Sequence, residues 1–374
     1  MKVILFANTD WYLYNFRLRL AESLRARGWE VLMLSPAGEF AARIQQAGLR
    51  WQEFPLSRRG MNPFSELGAL LRLARLYRAE KPDLVNHFTI KCVLYGSLAA
   101  RLAGIRAVVN HITGLGVAFT NRGLGAAGLR VFLRAFYRLA LGRSQIIFQN
   151  PDDRAAFLSL RLASPAQTSL IRSSGVDLAR FSPLPEPGGL PAVVLPARML
   201  WAKGVGDFVQ AAQILKNRGV AARFILAGDA DPGNPSGVPE AQLKTWQAEG
   251  LVEWWGWQED MPAAYAQVNL VCLPSLGEGV PRSLLEAAAC ARAIVATDVP
   301  GCREIVRHGE NGLLIPPRNP AALADALERL LADPQTRQHM GAAGRTLVEK
   351  EFAVEQVIAD TISVFDRLLP SNSA

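Results

Sequence analysis

Two pairs of charged residues in the second half of the chain have the types and spacing to hold a phosphorylated, hydroxyl-bearing ligand. In Ala197-Arg198-Met199-Leu200-Trp201-Ala202-Lys203-Gly204, two cations stand five residues apart in a loop that leads into a helical pattern at Val205. A guanidinium and an ammonium beside the free N–H groups of a helix start can grip a diphosphate, although the same residues also suit a solvated basic loop. In Pro274-Ser275-Leu276-Gly277-Glu278-Gly279-Val280-Pro281-Arg282-Ser283-Leu284-Leu285-Glu286-Ala287, glycines bracket Glu278, and Pro281 suits a first helical turn. Glu278 then projects from a loop and Glu286 lies inside the helix, so both carboxylates can accept hydrogen bonds from hydroxyls of one extended ligand. Compensation of a helix dipole explains Glu278 in part and Glu286 not at all. Asp229-Ala230-Asp231 has the form of a metal-binding DxD, but it runs into Pro232-Gly233-Asn234-Pro235 and reads as a polar turn. No metal is expected.

The first half offers weaker candidates. Asn8-Thr9-Asp10-Trp11-Tyr12-Leu13-Tyr14-Asn15-Phe16-Arg17 joins the first apolar run to the first helix. As a loop it could present aromatic faces to a sugar, with Asn15 and Arg17 for polar groups, or simply pack over a sheet end. Val109-Asn110-His111-Ile112-Thr113-Gly114-Leu115-Gly116 carries a histidine at a strand's carboxyl end before a glycine loop, where ligands of parallel sheets bind. His87 ends the preceding run and is a lesser candidate of the same kind.

The elements that must position these residues alternate. Apolar β-rich runs fall at Lys2–Ala7, Glu30–Ser35, Arg50–Phe54, Asp83–His87, Ala107–His111, Gln145–Gln149 and Thr168–Arg172. Helical patterns lie between them, such as Asn15–Arg27 with Phe16, Leu20 and Leu24 every four residues and Gly28 as the stop. Phe181–Pro191, with four prolines and two glycines, opposes both periodicities and reads as a linker. The rhythm resumes at Ala192–Ala197, Arg223–Ala227, Leu251–Trp255, Val268–Leu273, Ala293–Thr297 and Gly312–Ile315. Apolar strands alternating with helices imply an α/β chain of two doubly wound parallel sheets, with a ligand cleft outside the strands' carboxyl ends. The expected division is a first lobe at 1–180, a linker at 181–191, a second lobe at 192–355, and a final helix at 356–374 crossing back to the first.

Charge divides the same way. Residues 1–175 hold 24 basic and 10 acidic side chains, the remainder 17 and 23, and no acidic residue occurs from Leu84 to Pro151. A one-sided positive field favours an anionic partner. Within it, Arg130, Arg134 and Arg138 fall four apart among Leu129, Val131, Phe132, Leu133, Phe136, Tyr137, Leu139 and Leu141. An arginine stripe on an otherwise apolar helix suits an anionic membrane surface, with a core helix showing one solvated edge as the alternative. No apolar run reaches the length of a bilayer span, the opening run is too short for a signal peptide, and the four cysteines form no metal or disulfide pattern. The expectation is a cytoplasmic protein peripheral to the inner membrane face.

The second half resembles the retaining glycosyltransferases of family 4 along essentially its whole length. The resemblance is carried by Arg198…Lys203-Gly204, Leu226-Ala227-Gly228-Asp229, Pro274-Ser275…Glu278-Gly279…Pro281…Glu286-Ala287, Ala296-Thr297-Asp298, Gly301, Glu304-Ile305-Val306, Asn311-Gly312 and Pro316-Pro317. Cys290 departs from it, standing where the family usually has glycine. The resemblance implies the GT-B fold, retention of anomeric configuration, and catalysis needing neither metal nor cofactor, a UDP-sugar serving as donor substrate. It implies that Arg198 and Lys203 bind the donor diphosphate and stabilise the leaving UDP. Glu278 would hold the donor sugar with Gly279 and Val280 beside it, and Glu286 the ribose. Gly228 belongs to the donor side, Trp257 lies beside the nucleobase, and His111 assists catalysis. The aromatic stretch at 8–17 replaces the glycines usual in that family loop.

Asn8-Thr9-Asp10-Trp11…Tyr14-Asn15-Phe16-Arg17, Asn86-His87-Phe88-Thr89-Ile90-Lys91 and Thr113-Gly114-Leu115-Gly116 resemble a narrower bacterial group that extends undecaprenyl-diphosphate-linked N-acetylated sugars. This implies a polyprenyl-diphosphate-linked acceptor met by Asn15, Arg17, Thr113 and Gly114, with N-acetylgalactosamine favoured for transfer. Two other enzyme readings compete: a UDP-sugar epimerase of the same fold, and transfer to a soluble acceptor. Nucleic-acid binding through the basic half lacks a recognition module and is not expected.

Overall fold

The computed structural model describes residues 1–56, 63–112 and 135–369. These form two compact units, Met1–Ser174 with Glu355–Ala374, and Gly175–Val354.

The first unit is built on seven strands: β1 Lys2–Phe6, β2 Glu30–Ser35, β3 Arg50–Glu53, β4 Leu84–Phe88, β5 Ala107–Ile112, β6 Gln145–Phe148 and β7 Thr168–Leu170. All pair in parallel, in the order β3-β2-β1-β4-β5-β6-β7. β4 and β5 are buried at every position, their apolar residues interrupted by the buried polar pairs Asn86-His87 and Asn110-His111. Separate apolar clusters occupy the two faces, Val3, Leu5, Leu84 and Val109 on one and Ile4, Phe6, Val85 and Val108 on the other.

The second unit carries β8 Ala192–Pro196, β9 Arg223–Ala227, β10 Glu253–Gly256, β11 Leu270–Leu273, β12 Ala293–Thr297 and β13 Gly312–Ile315. They too pair in parallel, in the order β10-β9-β8-β11-β12-β13. Strand order reverses between β1 and β4 in the first sheet and between β8 and β11 in the second. In this architecture ligands gather beyond the carboxyl ends of such a pair. The loops after β8 and β11 carry the two charged motifs of the second half.

The structure departs from the sequence reading at two places. The stretch 8–17 is not a loop, because the first helix runs Asp10–Ala26. The Thr9 hydroxyl accepts the Tyr12 N–H at 3.1 Å and Asp10 stands in the first turn, a cap that starts the helix five residues earlier than its apolar spacing implied. The proline-rich 181–191 is not the link between units, since it is pinned inside the second. Phe181 is buried in that core, Arg337 donates to Glu186 at 2.8 Å, and Arg292 donates to the Leu184 and Pro185 carbonyls at 2.7 and 2.8 Å. The chain instead passes between units at Ser174/Gly175 and Val354/Glu355. Val176 N–H donates to Phe352 O, and Val354 N–H to Val176 O, tying the two passages side by side. The last helix, Val354–Asp366, packs Val357, Ile362 and Phe365 into the first unit's core.

Candidate active site

In the second unit, sheet order brings the charged motifs together. After β8 the chain makes a short turn, Trp201–Lys203, and Gly204 at φ +76° starts the helix Val205–Asn217. A side chain at 204 would collide with the Pro274 carbonyl, so glycine is what lets this loop lie against the end of β11. Leu276 N–H and the Ser275 hydroxyl both donate to Ala202 O, at 2.9 and 3.1 Å. Lys203 Nζ thereby meets Glu278 Oε1 at 2.5 Å, with the Glu278 side chain only 9 % exposed. Gly301 fixes the loop from beyond β12, where any Cβ would strike the Glu278 and Gly279 carbonyls. The Thr297 hydroxyl donates to Ser275 O.

The other two charges of the motifs have protein partners of their own. Arg198 is exposed and its Nη1 donates to Asp231 Oδ2 at 3.1 Å. Glu286, buried on the helix Arg282–Ala289, pairs with Arg282 Nε at 2.7 Å, an i,i+4 contact. Burial raises the Glu286 carboxyl above the usual range, opposed by Arg282 and Arg180. The expected convergence of two cations and two carboxylates is therefore three ion pairs among the described residues, of which Lys203 to Glu278 joins the two motifs.

The Asp229–Asp231 turn is occupied by protein contacts. Asp229 Oδ1 accepts the Trp257 N–H at 2.9 Å, Asp231 takes Arg198, and Asn234 N–H donates to Asp231 O. Gly228 lies so close to Ala197 O that no Cβ fits, and its carbonyl accepts the Trp254 indole N–H at 2.9 Å. Trp257 exposes 53 % of its surface, an open aromatic face on this side of the sheet. Asp231 and Arg282 were missed as partners of the motif residues. The i,i+4 spacing to Glu286 would have found Arg282.

In the first unit, Arg17 and His111 are buried and adjacent to the same ring: the Arg17 guanidinium lies 4.2 Å from the Phe88 centroid, and the His111 ring 4.8 Å from it. Burial first, then the Arg17 charge, holds His111 well below its ordinary value, so it is neutral. Asn15 bonds its own helix, Nδ2 donating to Trp11 O at 3.0 Å. Thr113 and Gly114 lie outside the described residues, as do Arg130 and Arg134. Arg138 is described, in the helical residues 135–141, and its Nε donates to Arg161 O at 2.7 Å.

His87 is a core residue. Its Nδ1 meets Asn110 Oδ1 at 2.8 Å and its Nε2 the Tyr77 hydroxyl at 3.0 Å. Asn110 Nδ2 donates to Ser97 and Ser144, so its oxygen is the acceptor, and His87 carries its proton on Nδ1. Burial pushes His87 down to about 4. It belongs to a satisfied buried network on the sheet face opposite His111.

Comparisons with known proteins agree with this architecture. Residues 2–150 match the family described as Glycosyl transferase 4-like, and residues 191–333 the family described as Glycosyl transferases group 1. The chain is 29 % identical to the N,N'-diacetylbacillosaminyl-diphospho-undecaprenol alpha-1,3-N-acetylgalactosaminyltransferase of Campylobacter jejuni, covering 96 % of each chain. It is 26 % identical to the UDP-Gal:alpha-D-GlcNAc-diphosphoundecaprenol alpha-1,3-galactosyltransferase of Escherichia coli, over 74 % of this chain and 73 % of that one. The Anabaena protein HepE, solved with UDP and glucose, shares the fold at a TM-score of 0.77 and 21 % identity, covering 97 % of this chain and 99 % of its own.

Proposed function

This chain belongs to the GT-B-fold glycosyltransferases, a 4-like half followed by a group 1 half, and from that premise we propose what it transfers and to what. The donor is a UDP-N-acetylhexosamine, with N-acetylgalactosamine favoured, and the acceptor a polyprenyl-diphosphate-linked saccharide of bacterial glycan assembly. The observation that carries the reading is Lys203 on Glu278 at the strand-order reversal of the second sheet. Similarity along nearly the whole chain to a transferase whose name gives such an acceptor supports it.

In this reading Arg198 and Lys203 bind the diphosphate, and fixed cations lower the barrier by stabilising charge that grows on the leaving UDP. Glu278 exchanges its ammonium partner for hydroxyls of the donor sugar, beside the backbone of Gly279 and Val280. Glu286 accepts from the ribose, and Gly228 and Trp257 border the nucleobase. His111, neutral by burial, supplies a hydrogen bond without charge. Asn15, Arg17, Thr113 and Gly114 serve the acceptor. Transfer proceeds with retention and needs no metal; that Asp229 and Asp231 are engaged by Trp257 N–H and Arg198 supports the latter.

We place the protein on the cytoplasmic face of the membrane. Among the described residues no helix is long and apolar enough to cross a bilayer. The helix Pro63–Glu80 exposes Phe64, Leu67 and Leu71, continued by exposed Arg72, Arg75 and Arg78. Its acidic residues are withdrawn, Glu66 onto Lys91 and Glu80 onto Lys2 and Arg50. An apolar and cationic face of this kind suits anionic lipid, alongside the arginines at 130, 134 and 138.

The test is UDP release from a panel of UDP-sugars with and without a short polyprenyl-diphosphate-linked saccharide. Release that depends on the acceptor and disappears in Glu278→Ala is expected. Interconversion of the UDP-sugar with no acceptor would support an epimerase instead, and release with a free saccharide alone would support a soluble acceptor.

A further inference from the structure

Arg17 is a buried cation with no counter-charge among the described residues. It is 3 % exposed, and its guanidinium meets the Tyr12 hydroxyl at 3.0 Å and the rings of Phe88 and Tyr12. No carboxylate pairs with it among the described residues, and its Nε has no partner. Taking a guanidinium out of water is costly unless an anion compensates, and aromatic faces compensate only in part. Arg292, another buried guanidinium, is satisfied by three backbone carbonyls, whereas Arg17 Nε is left without an acceptor.

A second orphan stands beside it. His111, 2 % exposed, leaves Nε2 without a partner. β4 and β5 pair Phe88 with His111, so both side chains share one sheet face, with the Arg17 guanidinium over the Phe88 ring. Asn86, two residues before Phe88 and on the same face, is fully buried with neither amide atom bonded. Thr89, next after Phe88, holds φ +69°, a strained conformation for a β-branched residue. In the second unit, by contrast, Arg198, Lys203, Glu278 and Glu286 all have protein counter-charges. Apart from Glu66 Oε2, the buried unsatisfied polar side-chain atoms among the described residues of the first unit thus belong to Arg17 and to residues on or just after β4 and β5.

The geometry points to a phosphoryl seat formed by Arg17 Nε–H and His111 Nε2, which takes the diphosphate of the prenyl-linked acceptor. The donor's diphosphate has its own cations in the second unit, Arg198 and Lys203. The assignment rests on the acceptor class proposed above. Asn86 provides further hydrogen-bonding capacity behind the seat.

The experiment follows the imidazole resonances of the full chain labelled in histidine, with His111→Gln identifying one signal among four. Geranyl diphosphate should shift the His111 signal in the wild type and leave it unmoved in Arg17→Met. UDP at equal concentration should not shift it. No response to geranyl diphosphate, or a response only to UDP, overturns the seat. In steady-state transfer Arg17→Met should raise the acceptor KM at least about tenfold, as loss of a charge-assisted contact requires, with the donor KM unchanged. Its melting temperature should stay level or rise, because an uncompensated charge has been removed. A lowered melting temperature, or an equal loss in donor KM, assigns Arg17 to structure and contradicts the proposal. If wild-type UDP release still depends on acceptor while His111 stays silent, the seat fails and the transfer reading stands. If release ignores the acceptor, it is the transfer reading that fails.

Discussion

Replacing Lys203 by methionine isolates the link on which the second unit's site depends. The ammonium lies 2.5 Å from Glu278, whose side chain is 9 % exposed, while that of Lys203 is 25 % exposed. A fully exposed pair would contribute about 0–1 kcal/mol, and stripping one partner from a buried pair costs about 3–5 kcal/mol. Intermediate exposure places the loss at about 2–3 kcal/mol. For a unit of this size that lowers the melting temperature by roughly 5–10 °C. The cause would be an unpaired, nearly buried carboxylate, so neutralising it should help. Lys203→Met with Glu278→Gln should be more stable than the sum of the single losses by about 2 kcal/mol. Transfer should fall about 10²–10³-fold in kcat/KM for Lys203→Met, the scale of one lost electrostatic donor. Thermal and urea unfolding of wild type, both single variants and the double variant complete the cycle. Strict additivity, or a Lys203→Met protein as stable as wild type, would refute the idea that these two motifs are joined by this pair.

Other outcomes follow from separate parts of the molecule. Gly204→Ala forces a Cβ into the Pro274 carbonyl at a positive φ, and should cost about 2–4 kcal/mol in urea unfolding together with loss of UDP binding. His87 is depressed to about 4, so the unfolded chain binds its proton at higher pH than the native one does. Its stabilising contribution is complete above an unfolded value of about 6.5 and is lost as pH falls toward 4. From about pH 7 to about pH 5 this site alone should remove about 2 kcal/mol, measurable by urea unfolding at each pH, and a flat profile would contradict it. Leu67→Glu with Leu71→Glu should abolish flotation with anionic vesicles while acceptor-free UDP binding is unchanged, and persistent flotation would remove this helix face from the membrane reading.

Much of this site was legible because parallel sheets write themselves plainly. All thirteen strands appear as apolar runs within a few residues of their observed ends, and the reversal of strand order explains why motifs 75 residues apart, at Lys203 and Glu278, meet. The start of the first helix was hidden by its aromatics, although Thr9 and Asp10 signalled a cap. Its buried stripe Leu13, Arg17, Leu20 and Leu24 follows helical spacing, so the burial of an arginine could have been read from periodicity. Register was not legible. Only the pairing of Phe88 with His111 and of His87 with Asn110 shows that the two histidines face opposite sides of the sheet. The pinning of 181–191 depends on Glu186 and Arg337, 151 residues apart, and local composition carries no trace of that contact.

Calorimetric titration of UDP into the full chain asks whether the charged loops of the second unit hold the nucleotide. One UDP site is expected, weakened at least about tenfold by Lys203→Met and by Glu286→Gln, each removing one hydrogen-bonding contact, and unaffected by Arg17→Met. Undiminished UDP affinity in both second-unit variants, or an affinity lost through Arg17→Met alone, would contradict it.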